Sequence, residues 1–145
     1  MFRSILVPID IAHKSSWQFA IPEALELARS GRSRLTVMTV VREMKAMFEG
    51  VYLSQQLGQM IADAQGKLAA IVGDSRAAGI EIEQEVRFGS IAHEILAVAK
   101  ERDVDLIVMA SHRPEMLDYL IGPNAAHVAH HAPCSVLVLR RFAAD

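Results

Sequence analysis

Hydrophobic positions along the chain fall into short apolar runs that alternate with longer stretches of helical repeat. The runs are rich in branched residues and predict strands at 5–7, 35–41, 82–88, 105–110 and 135–139. The stretches between them place apolar residues every three or four positions and predict helices over about 15–31, 54–78, 91–98 and 123–131. A capping-box spacing from Ser15 to Gln18 marks the start of the first helix, and Gly31 is expected just past its end. Residues 42–53 show neither pattern.

This alternation predicts the fold class. Strands joined by helices form a parallel sheet with helices on both faces. The runs ILV, LIVMA and VLVL are apolar throughout, as expected for strands buried on both sides, whereas the third strand alternates charged and apolar residues and is expected near a sheet edge. The sequence therefore predicts an α/β protein with a single open five-stranded parallel sheet, Rossmann-like in the order βαβαβαβαβ. No linker or composition break divides it, so residues 1–145 are expected to form a single domain.

Composition narrows the class of protein. The 145 residues are 52% hydrophobic and 22% charged, which is typical of a globular domain rather than a disordered one. The net charge of −2, without a basic block, gives no support to a nucleic-acid partner. The one cysteine, Cys134, fits a reducing compartment, and no apolar run reaches the roughly 20 residues of a membrane helix. We expect a cytoplasmic protein with no signal peptide, no membrane insertion and no nucleic-acid partner.

Ligands of open parallel sheets bind beyond the carboxyl ends of the strands. The positions just after the strands are 8–10, 40–41, 89–90 and 109–113. Among them, Asp10 follows the first strand and has two interpretations. Its carboxylate can accept hydrogen bonds from a ribose hydroxyl or an adenine amino group, or it can organise the turn that leads to the first helix.

A polar segment follows the fourth strand and ends at a predicted helix start. Gly122 precedes that helix, so the N–H groups of Asn124 and Ala125 are available to an anion, and His112 and Arg113 could add positive charge. The alternative is an ordinary loop with an exposed histidine and arginine.

At these residues the chain resembles the universal stress proteins. The resemblance spans essentially the whole length and rests on ILVPID, TVV, FGS and DLIVMASHRP…LIGPNAAHVAHHAPCSVLVLR. Nucleotide-binding members carry the motif G-x-x-G-x9-G-[S/T]. Here Ala110 and Arg113 stand at the first two glycines, and eight residues separate Arg113 from Gly122. This is similar to a branch whose loop reads A-S-H-R-P and whose members also bind ATP.

The resemblance implies a role for each part of the site. Asp10 and Val40 would hold adenine and ribose, Met109 and Ala110 would lie beneath the nucleotide, and ATP, or AMP or ADP, would bind together with Mg²⁺. The candidate cofactor-binding residues are Pro8, Ile9, Asp10, Val40, Met109, Ala110, Ser111, His112, Arg113, Gly122, Pro123, Asn124 and Ala125. Pro123 departs from the family's Ser or Thr and supplies neither an N–H group nor a hydroxyl. We therefore expect a weaker grip on the terminal phosphates with the adenosine site retained.

Three functions remain open. The leading one is an ATP-binding regulatory or stress-response module. The alternatives are a weak ATP hydrolase or phosphotransferase, for which no catalytic residue is assigned, and an interaction module that needs no nucleotide. The dinucleotide G-x-G-x-x-G and P-loop motifs are absent from the sequence.

Three further features bear on partners and ligands. The apolar last strand, Ser135–Leu139, is expected at a sheet edge and predicts a homodimer that pairs through it, an arrangement common in the family. An unidentified protein partner also remains open. His127, His130 and His131 have spacings that could seat a metal ion, but no metal site is assigned because no acidic ligand is nearby in the sequence. Cys134 is interpreted as a small apolar residue rather than a nucleophile.

Overall fold

The sheet and helices follow the predicted order. A computed structural model of the chain describes residues 1–42, 52–75, 79–111 and 122–140. Its strands are β1 (Ser4–Pro8), β2 (Arg34–Arg42), β3 (Ile82–Gly89), β4 (Leu106–Ala110) and β5 (Ser135–Leu139). Its helices are α1 (Ala20–Gly31), α2 (Tyr52–Ser75), α3 (Ile91–Glu101) and α4 (Pro123–His131), and a 3-10 helix at Lys14–Ser16 precedes α1. The predicted α/β class is confirmed.

All neighbouring strands are parallel, in the spatial order β3-β2-β1-β4-β5. The chain moves outward from β1 to β3, then crosses back to β4 and β5. Right-handed crossovers then put α1 and α2 on one face and α3 and α4 on the other. The packing of the core shows the same arrangement of the helices. Ile5 and Val7 pack with side chains of α1 and α2 on one face, whereas Leu6 packs with side chains of α3 and α4 on the other. Helices therefore cover both faces of the sheet.

The two edge strands differ in their side chains. β3 lies at one edge, as its alternating charges predicted. Its Glu85 forms ion pairs with Arg87, at 2.7 Å, and with Arg102 just past α3, at 2.6 Å. β5 lies at the other edge, and its four apolar residues are half-buried. The charges of β3 are therefore paired with one another and with charges at the end of α3.

The start of the first helix was predicted wrongly. Ser15 does not cap α1, which begins at Ala20 after the separate 3-10 turn. The neighbouring Ser16 instead bonds to the loop before it, because its Oγ lies 2.9 Å from the carbonyl oxygen of Asp10. This start places Pro22 in the first turn of α1, where a missing backbone N–H removes no helical hydrogen bond.

The end of α1 also differs from the prediction. Gly31 belongs to the helix, and Arg32 takes the left-handed conformation at φ 53°. A Cβ atom on residue 31 would lie 3.2 Å from the carbonyl oxygen of Phe2 and 2.9 Å from the Ser33 Oγ. Glycine is therefore needed at 31 for close packing against the start of the sheet, not for a positive φ.

The structure revises both bounds of the segment that the sequence analysis left without a pattern. Arg42 still belongs to β2 and Tyr52 already begins α2, so the prediction for 42–53 is wrong at both ends, and its middle lies outside the described residues. The last three residues of the predicted second helix, 76–78, also lie outside them. Within the described ranges, none of the helices has the length and hydrophobicity to cross a membrane.

Candidate functional site

The direction in which the chain connects the strands reverses between β1 and β4. The chain leaves β1 toward α1 on one face and leaves β4 toward α4 on the other. A reversal of this kind separates the two connections and opens a binding crevice beyond the carboxyl ends of the strands. The candidate residues at 8–10 and 109–111 thus lie on its two sides.

The β1 side of the crevice is anchored to β2. Pro8 ends β1 and is buried. Ile9 is also buried; its N–H donates to the Met38 carbonyl oxygen at 2.8 Å, and its own carbonyl oxygen accepts the Thr39 hydroxyl at 2.9 Å. Val40, the next residue of β2, is half-buried. These bonds fix the backbone from which Asp10 projects.

Asp10 lies beyond the sheet with its carboxylate partly exposed, at 57%. Its Oδ1 accepts the Ala12 N–H at 2.9 Å, and its Oδ2 lies 2.8 Å from the His13 Nδ1. The turn-organising interpretation is therefore observed. It leaves room for a ligand as well, because a carboxylate has about four acceptor positions and these two contacts occupy two of them.

Sequence reasoning missed His13 and Ser16. Ser16 Oγ accepts the Asp10 N–H at 2.8 Å and lies 2.8 Å from the His13 carbonyl oxygen. The His13 N–H donates to the Asp10 carbonyl oxygen at 3.0 Å. An aspartate followed three residues later by a histidine, just after a buried strand, is the signal that could have identified this turn.

The β4 side places a small polar residue beside α4. Met109 is buried against the core under α3 and α4, and Ala110 at the end of β4 is half-buried. The Ser111 N–H donates to the Leu139 carbonyl oxygen at 2.9 Å, and its Oγ accepts the Gly122 N–H at 3.3 Å. Ser111 thereby joins the end of β4 to the start of α4. The candidates His112 and Arg113 lie outside the described residues.

The first turn of α4 offers backbone donors. Gly122 occupies the N-cap, no side chain caps the helix, and Pro123 is the first helical residue. The Gly122 carbonyl oxygen accepts the Ala126 N–H at 2.9 Å, so the helical ladder starts there. The N–H groups of Asn124 and Ala125 precede the first position that can bond within the helix. Such groups at the positive end of a helix dipole bind anions.

Three other strand-end positions are not brought to the crevice. Val41 lies near the end of β2, Gly89 ends the outer strand β3, and Ser90 follows it, two strands away from β1. Gly89 has φ 145°, and a Cβ there would lie 3.1 Å from the Glu94 Oε2. This glycine is explained by the turn into α3.

The contacts of Cys134 and of the α4 histidines favour structural roles for these residues over a reactive or a metal-binding role. Burial and the Asp105 carboxylate raise the pKa of the Cys134 thiol, which disfavours the reactive thiolate. The rings of His127 and His131 stack with centroids 4.3 Å apart, and the His131 Nδ1 lies 2.9 Å from the His127 carbonyl oxygen. In the part of the chain that the structure describes, histidine, cysteine and acidic side chains form no group of three that could hold a metal ion.

A separate cleft of about 420 Å³ lies at the amino ends of β2 and β3, beside the end of α1. It contains none of the candidate residues, and Glu83 on its wall is paired with Arg102. We assign the candidate site to the carboxyl end instead, because an acceptor side chain and unbonded helix N–H groups flank the crevice there.

Comparison with known proteins agrees with this architecture. The profile of the "Universal stress protein family" matches residues 1–140. "Universal stress protein A homolog 1" of Coxiella burnetii is 28% identical, over 95% of this chain and 96% of that protein. The structure of universal stress protein UspA from Lactobacillus plantarum is 27% identical with a TM-score of 0.71, over 95% of this chain and 97% of that one.

Two solved structures with the same fold contain nucleotides. A universal stress protein in complex with cAMP is 20% identical with a TM-score of 0.72, over 96% of this chain and 97% of that one. A family protein from Arabidopsis thaliana with AMP bound is 18% identical with a TM-score of 0.68, over 97% and 93% of the two chains.

Proposed function

Because the chain belongs to the universal stress protein family, we propose that it binds ATP and acts by binding, as a regulatory or stress-response module. The nucleotide would occupy the crevice between the carboxyl ends of β1 and β4. Residues 1–145 would form one nucleotide-binding domain of a cytoplasmic protein.

The observation that carries the proposal is the pairing of acceptor and donor groups across the crevice. The Asp10 carboxylate stands on the β1 side with acceptor positions open. The N–H groups of Asn124 and Ala125 stand on the α4 side, and Ser111 ties the start of α4 to β4. A nucleoside provides donors for the first group, and a phosphate chain provides acceptors for the second. AMP and cAMP in two structures of this fold support an adenine nucleotide as the ligand.

Pro123 shapes the phosphate end of the proposed site. Proline suits the first helical position, so the helix start is kept. It removes one N–H group and the hydroxyl that a serine or threonine would present. Two backbone donors and the half-buried Asn124 side chain remain. We therefore expect ATP to bind only modestly more tightly than AMP, with Mg²⁺ held through the phosphate oxygens.

Calorimetric titration of nucleotide-free protein tests the proposal. ATP with Mg²⁺, AMP and cAMP are titrated separately, and GTP with Mg²⁺ serves as the matched control for the base. Saturable binding of ATP, and much weaker binding of GTP, is the expected result. Absence of binding by all three adenine nucleotides at millimolar concentration would overturn the proposal and leave a nucleotide-independent interaction module.

We also propose that the chain forms a homodimer by pairing β5 with its copy. The Leu139 carbonyl oxygen accepts the Ser111 N–H, so the backbone of Leu139 faces β4. Because backbone groups alternate in direction along a strand, those of Val136 and Val138 face outward. An apolar edge with outward-facing donors and acceptors favours pairing with another strand.

The variant Val138→Pro tests the dimer, since it removes an outward N–H but none that faces β4. Light scattering at micromolar concentration should give a dimeric mass for the wild-type chain and a monomeric mass for the variant. Proline is tolerated on edge strands, and circular dichroism checks that the variant is folded. A monomeric wild-type chain would contradict the proposal.

A further inference from the structure

We infer that His13 is a positioning residue of the nucleotide site, which holds the Asp10 carboxylate in the orientation that meets the nucleoside. The inference rests on the proposed nucleotide-binding function. It assigns a role to a side chain that the family motif does not include. Its basis is the hydrogen bonding of the turn that follows β1.

The two oxygens of the Asp10 carboxylate are fixed by different donors. The Ala12 N–H holds Oδ1 at 2.9 Å, and the His13 ring nitrogen Nδ1 holds Oδ2 at 2.8 Å. The last torsion of an aspartate is broad and has no sharply preferred value. One bond to one oxygen would leave that torsion free to vary, whereas separate bonds to both oxygens fix the plane of the carboxylate.

The same contact defines the tautomer of the histidine. An ionised carboxylate only accepts hydrogen bonds, so the proton of a neutral His13 ring lies on Nδ1. The backbone of the turn supports this arrangement, since the His13 N–H and the Ser16 side chain both bond to the main chain of Asp10. The imidazole is therefore directed at the carboxylate by the turn itself.

The position of the turn relates this pair to the crevice. Ile11 within the turn and Trp17 just after it pack on the same core as Ala110 at the end of β4. The 3-10 helix that contains Ser16 lies against β4. The Asp10–His13 pair thus stands over the carboxyl end of β1 on the side where β4 ends.

Exposure argues against a mainly stabilising role. The side chains of His13 and Asp10 are 70% and 57% exposed. Exposed pairs of this kind add little to the free energy of unfolding. A carboxylate held in place before the ligand arrives does strengthen binding, because fewer side chains must be ordered on association.

Three substitutions separate positioning from direct contact. His13→Ala removes the Nδ1–H donor and should weaken ATP binding about three- to tenfold, the range expected when one side chain must be ordered on binding. His13→Asn places an amide N–H near the position of Nδ1 and should restore most of the affinity. His13→Gln places its amide near Nε2 and should not. His130→Ala is the matched control, because His130 is an exposed histidine at the end of α4 away from the proposed site. This variant should bind ATP as the wild-type chain does.

A double-mutant cycle with Asp10→Asn completes the test. If His13 acts through Asp10, His13→Ala should have no further effect in the Asp10→Asn background. Thermal unfolding of each variant checks that the fold is kept. Wild-type affinity in His13→Ala, or restoration by Gln instead of Asn, would overturn this inference while the proposed function stands. Failure of the wild-type chain to bind any adenine nucleotide would overturn both.

Discussion

Two aspartates at opposite ends of the sheet use their carboxylates differently. Asp105 lies directly before β4 at the amino end, and its oxygens accept the N–H groups of Arg3 at 2.9 Å and Ser4 at 3.0 Å. Asp10 lies beyond β1 at the carboxyl end, and its oxygens accept groups only two and three residues away. The first carboxylate joins segments about a hundred residues apart, and the second shapes a local turn.

The lowered pKa of Asp105 agrees with its role in joining distant segments of the chain. Burial raises the pKa of Asp105, but hydrogen bonds from the N–H groups of Arg3, Ser4 and Asp105 itself outweigh it and hold the pKa below its usual range. The ionised form is therefore the one that stabilises the fold. The Asp105 carboxylate thus joins the starts of β1 and β4 at the amino end of the sheet, whereas the Asp10 carboxylate at the carboxyl end bonds within its own turn.

Loss of the Asp105 carboxylate should have the largest effect on stability. Asp105→Asn weakens charge-assisted bonds to two backbone donors, and we expect the free energy of unfolding to fall by about 2 kcal/mol. Urea denaturation measures it. Asp103→Asn, at an exposed position two residues earlier, is the matched control and should change stability by less than about 0.5 kcal/mol. Equal stability of the two variants would show that the Asp105 carboxylate does not stabilise the amino end of the sheet, and its contrast with Asp10 would be lost.

Lowering the pH should reduce the difference in stability between the wild-type chain and the Asp105→Asn variant. The folded-state pKa of Asp105 is lowered, so its contribution is complete above the unfolded-state pKa and is lost as the pH falls through the folded-state value. The gap in stability between wild type and Asp105→Asn should be constant from pH 7 to about 5 and narrow below about pH 4, near the ordinary aspartate pKa. Urea denaturation at a series of pH values checks this. A gap that stays the same down to pH 3 would mean that charge is not its cause.

Asp10→Asn should lower the affinity for ATP and leave the stability of the fold almost unchanged, the reverse of the expectation for Asp105→Asn. It replaces a charged acceptor at an exposed turn, so we expect the free energy of unfolding to change by less than about 1 kcal/mol. Affinity for ATP should fall about tenfold, in the range of a hydrogen bond to a charged group. Calorimetry and urea denaturation on the same preparation give both values. A large loss of stability with unchanged affinity would make Asp10 a structural residue like Asp105.

The smallest expected effect is a gain in ATP affinity from a change at the phosphate end of the proposed site. Pro123→Ser restores an N–H group and a hydroxyl at the first helical position, and we expect ATP to bind about two- to tenfold more tightly while AMP changes less. Pro123→Ala adds the N–H group alone and separates the two contributions. Equal gains for ATP and AMP would place the effect away from the terminal phosphates.

Local patterns predicted most of the fold. Apolar runs and the alternation of the third strand predicted the five strands, and α4 and β5 were predicted with their observed bounds, 123–131 and 135–139. The start of α1 was predicted wrongly because the Ser15-to-Gln18 spacing falls on the separate 3-10 turn, and α1 begins at Ala20 without a side-chain cap. Gly31 was explained wrongly because its neighbour Phe2 is distant in sequence.

The candidate site was predictable only in outline. Asp10 and Ser111 could be located because they follow apolar strands. The bond between His13 and Asp10 depends on the geometry of a turn, and the bond between Ser111 and Gly122 depends on how the chain returns to the end of β4. A histidine three residues after an aspartate is a sequence signal for the first bond, but it does not show that the two side chains meet, and no spacing marks the second bond. Both bonds therefore required the three-dimensional structure.

Mapping the backbone amides that respond to ATP tests the central claim most directly. NMR spectra of isotope-labelled protein, recorded as ATP with Mg²⁺ is added, report each amide separately. We expect the changes to centre on Asp10, His13, Ser111, Asn124 and Ala125 at the carboxyl end. The amides of Arg3, Ser4 and Asp105 at the amino end should stay unchanged. Changes centred on the amino end, or no changes at saturating ATP, would contradict the assignment of the site.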